Sequence, residues 1–116
     1  MQFKFAVIAA ALAAFAPAAF AASCYSASGC KTCESESSMY DARQAFCGGS
    51  DWQGTSSMSW GDAQVNLQGS FYSQQECFDG FANIISQCYG HQDGGIYTYS
   101  YNGHDARLDV DFCDCE

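Results

Sequence analysis

Eight cysteines confined to the last 93 residues, from Cys24 to Cys115, constrain this chain more than any other feature. An even cysteine count behind an export signal reads as a disulfide framework, because an oxidising compartment forms such bonds and a small core is helped by them. The signal has three parts. Lys4 supplies a positive charge, residues 5–15 an apolar run, and Ala19, Phe20 and Ala21 a small-x-small cleavage pattern. Cleavage is expected after Ala21, or after Ala22. The apolar run is short, followed by Pro17 and then by a polar, Cys-rich chain, which fits a removable signal peptide (1–21) better than a membrane anchor. No second apolar stretch follows, so the expectation is a secreted, extracellular protein without membrane insertion.

The remainder, 22–116, suits a single cysteine-rich domain that is too small for a large core without covalent staples. Its only cations are Lys31, Arg43 and Arg107, set against thirteen carboxylates, so loss of Lys4 takes the formal charge from −9 to −10. Such a surface repels phosphate backbones and anionic lipid, which argues against nucleic acid as a partner. The acidity itself reads as a solubility device.

Geometry restricts the disulfide pairings. Cys77 and Cys88 fall on one face of a helix roughly 16 Å apart along its axis, out of bonding range. Cys113 and Cys115 at a strand end point the same way with Cα atoms about 7 Å apart, which disfavours their union. Their partners are therefore expected among Cys24, Cys30, Cys33 and Cys47. A zinc site at Cys30-x-x-Cys33 would need reduced thiolates. The carboxylate row Asp109, Asp111, Asp114 and Glu116 lacks the glycine-centred loop of a calcium site, so neither a metal nor any other cofactor is expected.

Periodicity places the elements. Caps within 35–38, then Met39, Ala42 and Phe46 and a Cys-Gly-Gly stop, predict a helix over 37–47. Residues 48–57 read as a Gly/Ser loop carrying Trp52, followed by strands at 57–60 and 63–68, the second with alternating apolar residues. Ser73-x-x-Glu76 is a capping box; Cys77, Phe81, Ile84, Ile85 and Cys88 then share one face of a helix over 74–89, and Gly80 inside it is compatible with a close-packed neighbour. Strands at 96–101 and 106–112 flank Asn102-Gly103, a strong two-residue hairpin signal that pairs Tyr101 with His104, Tyr99 with Ala106 and Tyr97 with Leu108. The fold class expected is α+β: a disulfide-stapled two-layer sandwich with an antiparallel sheet of four to five strands against two helices.

The opening Cys24-Tyr-Ser-Ala-Ser-Gly-Cys30, the helix Cys77-Phe-Asp-Gly-Phe-Ala-Asn-Ile-Ile-Ser-Gln-Cys88, the glycines after it and the closing Leu108-Asp-Val-Asp-Phe-Cys113 resemble a group of small secreted fungal proteins. That group includes mushroom glycan-binding lectins with an α/β-sandwich fold and, more distantly, a smut-virus killer toxin that blocks calcium channels. The resemblance implies a sheet with two helices, four disulfides and non-enzymatic recognition outside the cell. The killer toxin's action is associated with basic residues, of which this chain retains only three after signal removal, so channel block is not expected.

Sugars are commonly held by an aromatic ring against their C–H face, with carboxylates, amides and hydroxyls around it. Ligand-binding candidates are accordingly Trp52 with its neighbour Asp51, and Tyr101, Asn102, His104 and Asp105 at the hairpin tip. Trp60, Tyr97 and Tyr99 are expected in the core. The partner is then an extracellular glycan or a host or competitor surface molecule. The alternatives are an effector, toxin-like or antimicrobial protein and, lower, a small ribonuclease using His91, His104, Glu76 and Arg107. Asp109 and Asp111 as a glycosidase pair are discarded, since neighbours on one open strand face do not flank a cleft. No catalytic residue is assigned.

Overall fold

A computed structural model describes residues 21–115, and the proposed signal peptide lies outside them apart from Ala21. The elements run β1 (Ser23–Tyr25), β2 (Cys30–Cys33), α1 (Glu36–Gly48), a single 3-10 turn (Asp51–Gln53), β3 (Ser56–Trp60), β4 (Ala63–Gly69), α2 (Gln74–Cys88), β5 (Gly94–Tyr101), β6 (His104–Asp111) and β7 (Cys113–Cys115). Five strands form one sheet in the order β1-β5-β6-β4-β3, every pair antiparallel, and β2 with β7 forms a second, small sheet. The two helices cover one face of the larger sheet, giving the expected α+β sandwich.

Local chemistry accounts for the boundaries. Ser35 caps α1 by accepting the Ser38 N–H at 3.2 Å, and Ser73 caps α2 by accepting the Glu76 N–H at 3.4 Å. Asn102 at φ 54° and Gly103 at φ 82° make the two-residue turn, and the register Tyr101↔His104, Tyr99↔Ala106, Tyr97↔Leu108 follows as anticipated. Alternation then sends Val65, Leu67, Tyr97, Leu108 and Val110 into the core against Met39, Phe46, Phe81, Ile84 and Ile85 of the helices. Gly80 lets α2 pack closely on the sheet. A Cβ there would stand 2.6 Å from a carbon of the Tyr97 ring.

The disulfides are Cys24–Cys88, Cys30–Cys115, Cys33–Cys113 and Cys47–Cys77. Each joins one of the four N-terminal cysteines to one of the four C-terminal ones, as expected. Four elements differ from expectation. β1 and β2 were not foreseen, because short strands held by disulfides and a partner need no alternating pattern of their own. Residues 51–53 form a 3-10 turn inside the expected loop, and Cys113 with Cys115 form a separate strand instead of the end of β6. Tyr89 caps α2 in extended conformation instead of ending it, and Gly90 at φ 86° turns the chain away.

Candidate functional site

β4 ends, β3 begins, α2 begins and the β5–β6 hairpin turns at the same end of the sheet. Gly69, paired with Ala106, lies at φ 87° against the Asp105 carbonyl, an approach no side chain would allow. The chain then crosses over β6, with the Ser70 N–H donating to the Asp105 carbonyl at 2.9 Å. Phe71 turns inward, 1% exposed, and Tyr72 outward, 46% exposed.

Tyr72 completes an aromatic shelf. Its ring meets Tyr101 edge-to-face at 5.1 Å and 82°, and His104 at 5.6 Å and 77°. Tyr101 is 55% exposed, and it and Tyr72 are the exposed large hydrophobic side chains among the described residues. His104 Nδ1 lies 2.9 Å from Ser70 Oγ, which holds the half-buried imidazole in place. Asp105 accepts the Ser100 hydroxyl at 2.7 Å, and Asn102 is exposed at the tip. Beneath the shelf Tyr99 is 8% exposed and its hydroxyl has no hydrogen-bond partner among the described residues. Burial above all pushes its pKa up, with the nearby Tyr72 backbone pulling the other way.

Tyr101, Asn102, His104 and Asp105 are thus brought together. Trp52 and Asp51 stand next to them along the chain path, since the Phe71 N–H donates to the Trp52 carbonyl at 3.0 Å. The Trp52 indole is half-buried against the core and its N–H is used within its own loop, donating to the Gly49 carbonyl at 2.9 Å. Trp60 packs half-buried on the core, and Tyr97 and Tyr99 are buried, as expected. Tyr72 and Ser70 were missed. Their signal was the pair Phe71-Tyr72 between a strand-ending glycine and a helix cap, where consecutive residues must face opposite sides.

Other features are less suited to a sugar. A groove of about 470 Å³ along α2 is bordered by Glu76, Asp79 and Asn83, but of its two rings Tyr97 is buried and Tyr40 has the Arg43 guanidinium 5.4 Å from its centroid. A polar cleft of about 390 Å³ near Asp62, Asp111 and Asp114 has no aromatic lining. Across the open sheet face the Tyr25 hydroxyl donates toward Asp109 and Asp111. His91 and Glu76 flank opposite ends of α2, roughly 20 Å apart, so the four residues considered for a ribonuclease do not converge. Among the described residues no three His, Cys, Asp or Glu side chains are grouped to hold a metal ion, and no helix is long and apolar enough to cross a membrane.

Comparison with curated proteins gives no match. A family model described as alpha-galactosyl binding lectin matches residues 34–116, the larger part of the chain and all of the shelf. The disulfide partners Cys24, Cys30 and Cys33 precede that match yet are bonded into it, so the structural unit is longer than the matched segment. Four disulfides in a small α+β domain and this match together establish that the chain belongs to the alpha-galactosyl binding lectin family.

Proposed function

We propose that this chain is a secreted, non-enzymatic binding protein for glycans ending in an α-galactosyl residue, held on the shelf of Tyr72, Tyr101 and His104. The observation that carries the reading is that the exposed aromatic side chains converge at one place, beside an imidazole, an amide and a carboxylate. Galactose suits such a surface. Its axial 4-hydroxyl leaves the opposite side of the ring as a continuous C–H patch that stacks on a phenol ring, while the hydroxyls at the rim meet donors and acceptors. Tyr101 or Tyr72 supplies the stacking face, His104 a ring nitrogen, and Asn102 and Asp105 hydrogen-bonding groups; Asp51 and Trp52 buttress the loop behind. Partner, compartment and mode agree with the acidic balance, which favours a neutral ligand over a phosphorylated one.

Fungal origin, removal of 1–21 on export, and use as an effector or antimicrobial protein against a host or competitor extend this reading. A lectin that coats the surface sugars of another organism needs no catalysis. N-terminal sequencing of the exported protein should begin at Ala22 or Ser23.

The binding test is calorimetry of the disulfide-bonded protein with α- and β-galactosides. Binding of the α-anomer is expected, with Tyr72→Ala and Tyr101→Ala each weakening it at least about tenfold, equivalent to ~1.4 kcal/mol, at unchanged melting temperature. Silence toward every α-galactoside, or variants that bind like the parent, would overturn the assignment.

A further inference from the structure

Tyr97 is 1% exposed, and the groove of about 470 Å³ along α2 is where it reaches the surface. One edge of its ring lies against Gly80, so the hydroxyl is the part of the side chain left to face the groove. Among the described residues that hydroxyl has no hydrogen-bond partner. A phenol held in the interior is costly to leave unpaired, and an unmet hydroxyl at the floor of a groove marks a place where an outside group is taken up. Glu76 and Asp79 line the same flank of α2. Burial first, then these two charges, push the Tyr97 pKa up to about 12, so the phenol keeps its proton at neutral pH.

The two carboxylates are themselves uncompensated. They stand three residues apart on one helix face, where like charges repel, and the ion pair seen among the described residues is Arg107 with Asp109, outside the groove. Arg43 is engaged with Tyr40, Phe78 and the Phe78 carbonyl. The helix dipole suits Glu76 in the first turn but gives no reason for the hydroxyl beside it. Beyond Asp79 the groove is bordered by Ala82, Asn83 and Ser86. Ser86 spends its hydroxyl proton on the Asn83 carbonyl at 3.3 Å, and Asn83 an amide proton on the Asp79 carbonyl at 3.1 Å, so this end too offers acceptors. From Glu76 to Ser86 the helix rises about 15 Å. A ligand that fits must bring donors and positive charge at two places, with an apolar link over Ala82. It must also be slender, because the Tyr97 ring is buried and the Tyr40 ring is occupied by Arg43.

We propose that this groove binds a linear aliphatic polyamine. One ammonium group sits between Glu76 and Asp79 and donates to both carboxylates and to the Tyr97 hydroxyl oxygen; the methylenes cross Ala82; the next nitrogen donates to the Asn83 amide oxygen and the Ser86 hydroxyl. An ammonium carries three donors and no acceptor, which matches three acceptors at one point. The acidic net charge of the chain raises the local concentration of any cation. Because Asp79 is exposed, binding is weak and salt-sensitive. The groove is separate from the shelf of Tyr72, Tyr101 and His104, so this assignment does not depend on the α-galactosyl reading.

The test is calorimetry of the full disulfide-bonded protein with spermidine at low ionic strength. The parent is expected to bind with a Kd below about 1 mM, and to lose at least about fivefold in affinity at physiological salt. Tyr97→Phe keeps the ring against Gly80 and removes only the oxygen; it should weaken spermidine at least about fivefold without lowering the melting temperature. Glu76→Gln and Asp79→Asn should each weaken it at least about tenfold, whereas Asp114→Asn, which removes the same charge outside the groove, should bind like the parent. No binding, a Tyr97→Phe variant that binds like the parent, or an equal loss in Asp114→Asn each overturn the proposal. Magnesium displacing spermidine at equal concentration would reduce the site to a bare carboxylate pair, and oligolysine binding where spermidine does not would assign the groove to a polypeptide; either result also overturns it. An α-galactoside should neither displace spermidine nor lose affinity for Tyr97→Phe, and displacement would make the groove part of the sugar site and refute the polyamine assignment.

Discussion

Gly80 is the residue at which helix propensity and packing oppose each other most directly. Alanine in its place would gain about 1 kcal/mol of intrinsic helix stability, but its methyl group would collide with the buried Tyr97 ring, and overpacking of that kind costs about 1–3 kcal/mol. Gly80→Ala is therefore expected to lower stability in urea unfolding; a more stable variant would show that the ring slides aside. Two carboxyls set opposite pH dependences. Asp111 is held above the usual carboxylate range by burial first, then by Asp109 and Asp93, against the Tyr25 hydrogen bond. A carboxyl raised in the folded state favours folding when protonated, so its contribution is full below the unfolded value of about 4 and is lost as pH rises through the native one. Glu34 is held low, first by the Asp62 N–H and then by the Ser38 hydroxyl. Its contribution is present above the unfolded value of about 4 and is lost as pH falls through the native one. Melting curves across pH should show Asp111→Asn more stable than the parent at neutral pH, with the gap closing toward about pH 4, and Glu34→Gln less stable at neutral pH, with its gap closing on acidification. The same sign for both variants at neutral pH would refute this account.

Among the elements, α2 is stapled at both ends, to α1 through Cys47–Cys77 and to β1 through Cys24–Cys88. Gly95 on β5 lies directly under the second bridge, where a Cβ would stand 2.6 Å from the Cys88 sulfur. β1 is only three residues long and joins the sheet through β5 alone, so it depends on that bridge and on the Tyr25 contacts. Replacing Cys24 and Cys88 together by serine should cost roughly 2–5 kcal/mol. Hydrogen exchange should then show protection lost in β1 first, with the β5–β6 hairpin unaffected. Retained β1 protection would assign its anchoring to Tyr25 alone.

For the whole molecule, most of the charge lies away from the ligand site, where Asp105 is the carboxylate at the hairpin tip. Carboxylates crowd β6, β7 and the segment before α1, while the stretch from Trp52 through Gln75, which carries Tyr72, is almost uncharged. Recognition there works through ring stacking and short hydrogen bonds, which salt hardly screens. Affinity for an uncharged α-galactoside, measured between low and high salt, should accordingly change by less than about twofold. Steep loss of sugar affinity with salt would mean that an ion pair carries the recognition.

Local signals were enough for much of this architecture. Ser73 and Glu76 marked the start of α2, Asn102-Gly103 fixed the hairpin register, and the rigid spacing of Cys77 from Cys88 and of Cys113 from Cys115 excluded those two pairings and left the N-terminal cysteines as the expected partners, which the bridges bear out. These follow from sequence because each depends on a few neighbouring residues and the fixed geometry of helix or strand. β1, β2 and β7 gave no such signal, since they are strands only by virtue of what lies beside them. The shelf is the same case. Tyr101 and His104 were visible at the hairpin tip, but Tyr72 is some thirty residues away in sequence, and only the crossing of the chain over β6 at Gly69 carries it to their side. The sequence by itself determined the helices, the hairpin and two pairings the cysteines could not make; the tertiary structure decided the disulfide map and which aromatic rings meet, because both depend on long-range packing and not on local spacing.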